Sequence, residues 1–460
     1  MQLRFNALAR LLAWVANRRL SLRKSHATFA ERMATFVVFG IVIAISAGHA
    51  QAQASKVDVS SKTYTEELKQ QFDDAIRQER SANQMIEIRA KNFGVLSANT
   101  SEALRTKYDS AFNAFRISLS KLQMIYLGHQ VAWSSERDRE RLEQYGLELN
   151  ETQTRLDAWR GAIAEVYSAD RESTSSLAAI IVEMIQRDAD RDMYEGLQPM
   201  ARAYLDRQKD IPAPLLESIG YIGYAINDHD LAEAAWSRLR QTNEVPKGIE
   251  IALDSMVEQR TKWKQELSRR EDEEKRHDNP RVSILTNKGR IVVELFEEEA
   301  PQAVANFIFL VERGFYDRKM FFRVVEHFAV QSGCERGDGT GGAGYTIPGE
   351  MAAPNHRNIF RGSMVLLSGV DQSTNTPNPD SGSSQFLFTL LPQPLFDGQM
   401  TVFGRIIEGL PILGALKRLD LSKEEERKDK SKRADVIIEA KVLRKRNHDY
   451  IPEITSGRLP

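Results

Sequence analysis

The apolar residues change period part-way along the chain. From Ser60 to Asp278 they recur every three or four positions, as on a helix; from Val282 they alternate in twos, as on a strand. Leu104, Tyr108, Phe112, Phe115, Leu119, Leu122 and Tyr126 form one helical stripe. Leu142, Tyr145, Leu149, Leu156, Trp159, Ile163 and Val166 form another, with polar Thr152 in its gap. Each predicts a helix of about 30 residues, on the order of 45 Å long. Tyr64–Val95 predicts a third with a weaker stripe, and Asn99-Thr100-Ser101 and Ser134-Ser135-Glu136 supply the breaks and N-caps. An antiparallel hairpin or three-helix bundle is the expected assembly. After Ser173 the helices shorten. A helical hairpin is expected around Asn227-Asp228-His229-Asp230, with His229 a solvated turn residue. Trp263–Asp278 carries mixed charges at helical spacing and predicts a solvated, stiff connector ended by Asn279-Pro280.

Beyond Pro280 the pattern predicts a hairpin over Val282–Phe296 with Asn287-Lys288-Gly289 at its turn. A helix opens at Ala300-Pro301 and carries Val304, Phe307, Ile308 and Val311. Strands follow at Phe321–Val325, Ser363–Leu367, Gln385–Leu390, Met400–Ile407 and Ala434–Leu443. A second helix is expected around Leu410–Leu419, and the Lys423–Arg433 charge run reads as a loop.

With 460 residues, 42% hydrophobic and 28% charged, the chain has the composition of a multidomain soluble protein. A net charge of −1 gives no overall field to attract nucleic acid or a membrane. The single cysteine, Cys334, excludes an internal disulfide and reads as a small buried filler. At the N-terminus, a basic stretch precedes the uncharged apolar run Met33–Ala47, which is short beside the roughly 20 residues of a bilayer span. Ala50-Gln51-Ala52 and Ala52-Gln53-Ala54 then offer small-x-small cleavage sites. Residues 1–54 are expected to be an export signal or, if uncleaved, an N-terminal anchor. That places the protein in the periplasm or another extracytoplasmic space.

The densest chemistry lies in Phe321-Phe322-Arg323-Val324-Val325-Glu326-His327-Phe328-Ala329-Val330-Gln331-Ser332-Gly333. An arginine between apolar residues on a strand either snorkels from the sheet rim or aims its five donors at a ligand. Gly337-Asp338-Gly339-Thr340-Gly341-Gly342 matches a dinucleotide fingerprint in form only: no helix opens after it, and Asp338 would repel phosphate. No zinc spacing or nucleophile elbow occurs, and the histidines are scattered. Glu297-Glu298-Glu299 precede a helix start and are expected to favour its dipole.

Taken in order, F-x-R-V, F-x-x-Q-x-G, G-x-G-T-G-G, S-S-Q-F at Ser383–Phe386, and F-D-G-x-x-x-V-F-G-R at Phe396–Arg405 resemble the cyclophilin-type peptidyl-prolyl isomerases. The resemblance spans Pro280–Val442, a little over a third of the chain. It implies a closed eight-stranded β-barrel with two helices over 279–446, following an all-α region of long antiparallel helices over 60–278 with the charged connector at its end. Residues 447–460 are left as a tail.

The resemblance also implies cis/trans isomerisation of X–Pro bonds without cofactor or metal. Arg323 matches the family's catalytic arginine, Phe328 the aromatic floor of its proline pocket, and Gln331 the glutamine that holds the substrate backbone. Ala329, Leu367, Ser368, Gln385, Leu387, Leu395, Phe396 and Met400 fall at substrate-binding positions. Several depart from the family. A pocket methionine is replaced by Ala329, a phenylalanine by Leu387, an alanine by Leu367, an asparagine by Ser368, a rim tryptophan by Leu395 and a histidine by Met400. These changes keep the pocket apolar and remove polar handles. One of them bears on cyclosporin, a cyclic peptide bound by the family with help from that tryptophan's indole N–H. Between Gly369 and Ser381 the rim loop is longer than usual. The expected partners are proline-containing polypeptides, with the helical region docking a client or partner. The alternative is a peptide-binding holdase with little turnover.

Overall fold

The computed structural model describes residues 96–459 apart from 98, 130–135, 171–173, 243–244, 370–377 and 430–433. The expected export segment, the predicted Tyr64–Val95 helix and most of the Gly369–Ser381 rim lie outside the described residues. Two compact units divide the chain, Met1–Ala98 with Glu172–Glu183 and Asn99–Arg171 with Met184–Pro460. The sheet and every site residue belong to the second.

Eight helices among the described residues precede the sheet: α1 (Glu102–His129), α2 (Glu136–Ala169), α3 (Thr174–Ala189), α4 (Gln198–Arg207), α5 (Ala213–Ala225), α6 (His229–Thr242), α7 (Lys247–Asp254) and α8 (Met256–Arg276). The two long stripes pair antiparallel. Lys107 meets Glu165, and Ser118 meets Thr152 and Glu148, so numbers rise on α1 as they fall on α2. Trp159 fills the seam, with ring centroids 4.9 Å from Phe112 and 5.6 Å from Phe115. Polar Thr152 is buried there and shares a 3.0 Å hydrogen bond with buried Ser118, which satisfies both hydroxyls. Gly146 lets α2 approach the sheet: a Cβ at that position would lie 3.0 Å from the Arg290 backbone nitrogen.

The expected α5–α6 hairpin forms, with Gly220 leaving room for the Trp236 indole. His229, expected in solvent, is buried, and burial lowers its pKa. The charged helix α8 is not a solvated connector either. Glu266 and Glu273 are 5% and 4% exposed, because cations from the sheet domain reach them. Arg357 bonds Glu266 at 3.0 Å, Glu273 at 2.5 Å and Glu299 at 2.9 Å. Arg405 bridges Glu273 at 3.1 Å and Glu294 at 2.6 Å. Charge periodicity marked the helix but could not show which face would meet those arginines. Helix α8 thus packs against the sheet domain of its own chain.

This network yields a stability prediction. Arg357 is 1% exposed and its guanidinium lies 3.9 Å over the Phe296 ring. Arg357→Ala leaves buried carboxylates short of a countercharge, a change that typically costs about 3–5 kcal/mol. Arg405 remains as a partner, so the lower end, about 3 kcal/mol, is expected. Denaturant unfolding would measure it, and a loss under about 1 kcal/mol would mean that the network is effectively solvated.

The sheet domain comprises β1 (Arg281–Thr286), β2 (Gly289–Leu295), α9 (Pro301–Glu312), β3 (Arg323–Val325), β4 (Ala329–Ser332), β5 (Tyr345–Thr346), β6 (Ser363–Leu366), β7 (Phe386–Thr389), β8 (Val402–Glu408), α10 (Ile412–Ala415), β9 (Leu419–Asp420), α11 (Glu424–Lys428), β10 (Ile437–Arg444) and β11 (Ser456–Gly457). The charge run expected as a loop therefore opens with the short helix α11, and the second barrel helix shrinks to α10. The first-turn N–H groups of α9 are held by Glu350, at 2.8 Å to Gln302 and 2.9 Å to Ala303, rather than by the acidic triplet before it. Within that triplet, Glu299 instead pairs with Arg357 and Glu297 with His448. Strand β11 in the C-terminal tail pairs with β5.

Nine strands run in the order β10-β1-β2-β8-β6-β7-β4-β3-β9. The sheet is a curled half-barrel, not the closed eight-stranded barrel expected. Near its ends only the isolated bridge Met320↔Val436 and bonds such as Phe321 N–H to the Asp435 carbonyl, 2.9 Å, cross the gap. The turns over 313–318, with Gly314 and Arg318 at φ +66° and +64°, keep this crossing short.

Register then sorts the side chains. Val324, Val330, Phe388 and Met364 lie in one row across β3, β4, β7 and β6 and enter the main core. One residue along, Arg323, Gln331, Leu387, Val365 and Val402 form the neighbouring row, on the opposite face. The site is built on that second face.

Candidate active site

Strand β3 presents Arg323 directly opposite Gln331 on β4. With Leu367, Ser368, Gln385 and the Gly339–Gly342 loop, the two line an open cleft of about 580 Å³. That volume suits a short peptide segment. Beside the cleft, Phe328, Leu367, Phe396 and Met400 pack half-buried on a cluster of Phe296, Ala329, Ile359, Val365, Leu387 and Val402. The Phe328 and Phe396 rings meet edge-on with centroids 6.2 Å apart. The result is an apolar pocket next to a guanidinium and an amide. Leu395, expected at the rim, is 58% exposed on the same turn as Phe396.

The Arg323 guanidinium is about a third exposed, and its Nε lies 3.3 Å from Asp420 Oδ2. Register sets this pair, because Asp420 lies opposite Arg323 on β9. Burial pushes the Asp420 carboxyl up. The Ser422 hydroxyl and N–H and the Arg323 charge outweigh it and hold the carboxyl below its ordinary value. A charged Asp420 therefore steadies the guanidinium from one side and leaves the cleft side open.

Gln385 does not point freely at a ligand. Its Nε2 donates to the carbonyls of Gly339 at 2.9 Å and Gly341 at 2.7 Å, holding the glycine loop at the cleft wall. Cys334 does more than fill space: its buried Sγ accepts the N–H groups of Gly339 and Gly341, each at 3.2 Å.

The family model described as "Cyclophilin type peptidyl-prolyl cis-trans isomerase/CLD" matches residues 281–442. A peptidyl-prolyl cis-trans isomerase of Helicobacter pylori is 42% identical over 142 residues, covering 30% of this chain and 82% of that protein. The chain belongs to the cyclophilin-type peptidyl-prolyl cis-trans isomerases. Peptidyl-prolyl cis-trans isomerase B of Bacillus subtilis is another relative of this cyclophilin, 38% identical over 141 residues, or 31% of this chain and 92% of its own. A solved cyclophilin-type isomerase of Cryptosporidium parvum aligns with TM-score 0.30 and 26% identity, over 36% of this chain and 97% of its own.

Sequence reasoning missed the groups that hold the strand carrying Arg323 in this cyclophilin. Asp420 sits in Leu419-Asp420-Leu421, a short apolar–acid alternation that signals only a strand. At the β3–β4 turn, Asp192 of the α3–α4 loop accepts the His327 backbone N–H at 2.9 Å and lies 3.0 Å from its Nδ1. Tyr194 hydroxyl lies 2.8 Å from the same Nδ1, and the Tyr221 ring stacks on the imidazole at 4.6 Å. The one available sequence signal was His327 itself, a polar residue between a pocket phenylalanine and an acid.

Proposed function

We propose that this isomerase works on exported polypeptides, turning X–Pro bonds with Arg323 as the donor, Phe328 as the floor of the proline pocket and Gln331 as the holder of the substrate backbone. The observation that carries the reading is the single face on which Arg323 lies opposite Gln331 and next to the apolar cluster around Phe328. Rotation is opposed by amide resonance, a barrier of ~18–20 kcal/mol. Twisting the bond gives the proline nitrogen a lone pair. A guanidinium aimed at that nitrogen from a partly dry cleft stabilises the twisted amide more than either planar isomer. No nucleophile is needed, and the pocket only has to hold the ring while the bond turns.

Export is supported by the Met33–Ala47 run and the alanine-spaced sites after it. Among the described residues, no helix is long and apolar enough to cross a membrane. Two measurements test the reading. Proline-limited refolding of an exported protein should accelerate when the full chain is added, whereas protection from aggregation without acceleration would favour the holdase alternative. Intact mass of protein recovered from the producing cell should show the loss of about fifty N-terminal residues. A mass retaining Met33–Ala47 would mean an anchor instead.

A further inference from the structure

Strand β3 is three residues long and its outer neighbour β9 only two, so few ladder bonds hold the strand that carries Arg323. Both flanks of β3 are tied to one carboxylate that does not belong to the sheet. Oδ1 of Asp192 accepts the N–H of His327, in the β3–β4 turn, at 2.9 Å and lies 3.0 Å from the imidazole Nδ1. Its Oδ2 takes the Arg418 guanidinium at 2.7 Å, and Arg418 is the residue that leads into β9. In the antiparallel register Val324 faces Leu419, so Arg418 and the turn meet at the Val325 end of β3. Asp192 is fully buried there.

The arrangement is strained as well as buried. Asp192 and His327 are both non-glycine residues in the left-handed region, at φ +57° and +56°. The surrounding contacts hold them there. Tyr194 hydroxyl donates to Asp192 Oδ1 at 2.9 Å, the Arg191 carbonyl also accepts Arg418 at 2.8 Å, and Arg361 donates to the Asp192 carbonyl at 2.6 Å while pairing with Glu195. Burial pushes the Asp192 carboxyl up, and His327 and Arg418 outweigh it, so the group is charged.

We propose that Asp192 is a positioning residue for the isomerase reaction, by which the helical region sets the placement of the arginine strand through the β3–β4 turn on one flank and Arg418 on the other. The inference rests on the reading of Arg323 as the catalytic donor. Arg323 lies two residues from the clamped end, on a strand too short to hold its own position. A small displacement of a catalytic group lowers turnover with little effect on how the substrate is held. Binding relies on Gln331 and the apolar cluster, which Asp192 does not touch; Phe328, although next to His327 in the chain, has its ring held by that cluster and by Phe396.

The test is a double-mutant cycle in the full chain, read by NMR exchange on an X–Pro peptide. Asp192→Asn keeps the shape and an acceptor for His327 but loses the charge that holds Arg418. It should lower kcat about tenfold, with KM within about twofold of the parent and a cooperative melt retained. In an Arg323→Ala background the same change should alter the residual rate by less than about twofold, because nothing is left to position. An unchanged kcat, a loss carried by KM, or an equal loss in both backgrounds would each overturn the proposal. Should Asp192→Asn not fold, Arg418→Gln removes one of the two attachments and is read by the same criteria. Full turnover in Arg323→Ala alone overturns the arginine assignment. Full turnover in Asp192→Asn beside an inactive Arg323→Ala overturns only the role of Asp192.

Discussion

Arg323→Ala is expected to give a folded protein whose isomerase turnover has fallen on the order of 10²-fold or more. The fold survives because the side chain projects into the cleft, about a third exposed, and its one ion pair among the described residues is with Asp420. A pair that open to solvent contributes roughly 0–1 kcal/mol. Its ladder partners, Gln331 and Asp420, pair with the backbone of position 323, which alanine keeps. Turnover falls because, among the described residues, no other cation lines the cleft wall. Arg323→Lys should not restore the rate, since an ammonium on a flexible stem lacks the planar fork that Asp420 holds. Exchange NMR on an X–Pro peptide gives the rate, and circular dichroism reports the fold. Unchanged turnover in the folded alanine variant would remove Arg323 from the mechanism.

Cyclosporin is expected to bind a hundredfold or more weaker than to cyclophilins that keep the rim tryptophan, a factor that corresponds to about 2.7 kcal/mol. Leu395 holds the tryptophan's position and offers no donor. Ser368 is too short to make the contacts of an asparagine at the cleft edge, and Met400 puts a thioether where the family has a ring. A buried acceptor left without its donor costs about 1–3 kcal/mol, so two or three such losses suffice. Short X–Pro peptides should remain substrates, because they rely on the apolar cluster around Phe328 and on Arg323 and Gln331. Calorimetric titration of the purified chain measures the affinity. Leu395→Trp is a fair rescue, since position 395 is 58% exposed and has room for the larger ring. Tight binding by the parent would contradict the argument, and no gain in the tryptophan variant would acquit the missing N–H.

The grouping of the apolar residues was legible in the sequence. Phe328, Ala329, Leu367, Leu387, Phe396 and Met400 were expected around a proline pocket and do share one apolar cluster. Arg323 and Gln331 face each other because a short turn pairs β3 with β4, a strand the apolar pattern had not announced. Leu395, expected at the rim, is exposed there, since a single turn of 3₁₀ helix directs Phe396 inward and its neighbour to solvent. Gln385 was expected to meet substrate and is engaged with the glycine loop, a contact that depends on where that loop folds back.

The order and period of apolar residues by themselves determined the long α1–α2 hairpin, the strand-rich domain after Pro280 and the face that carries Arg323. These follow from local geometry, 3.6 residues per helical turn and two per strand repeat, and so leave a trace in every short window. Only the tertiary structure decided that the sheet stays open between β9 and β10, that the charged face of α8 is buried on Arg357 and Arg405, and that Asp192 grips His327 and Arg418. Each of these joins groups far apart in the chain. An isolated acid has the same local signature whether it is solvated or clamped, and the difference arises only when folding brings a cation or an N–H to it and removes the water.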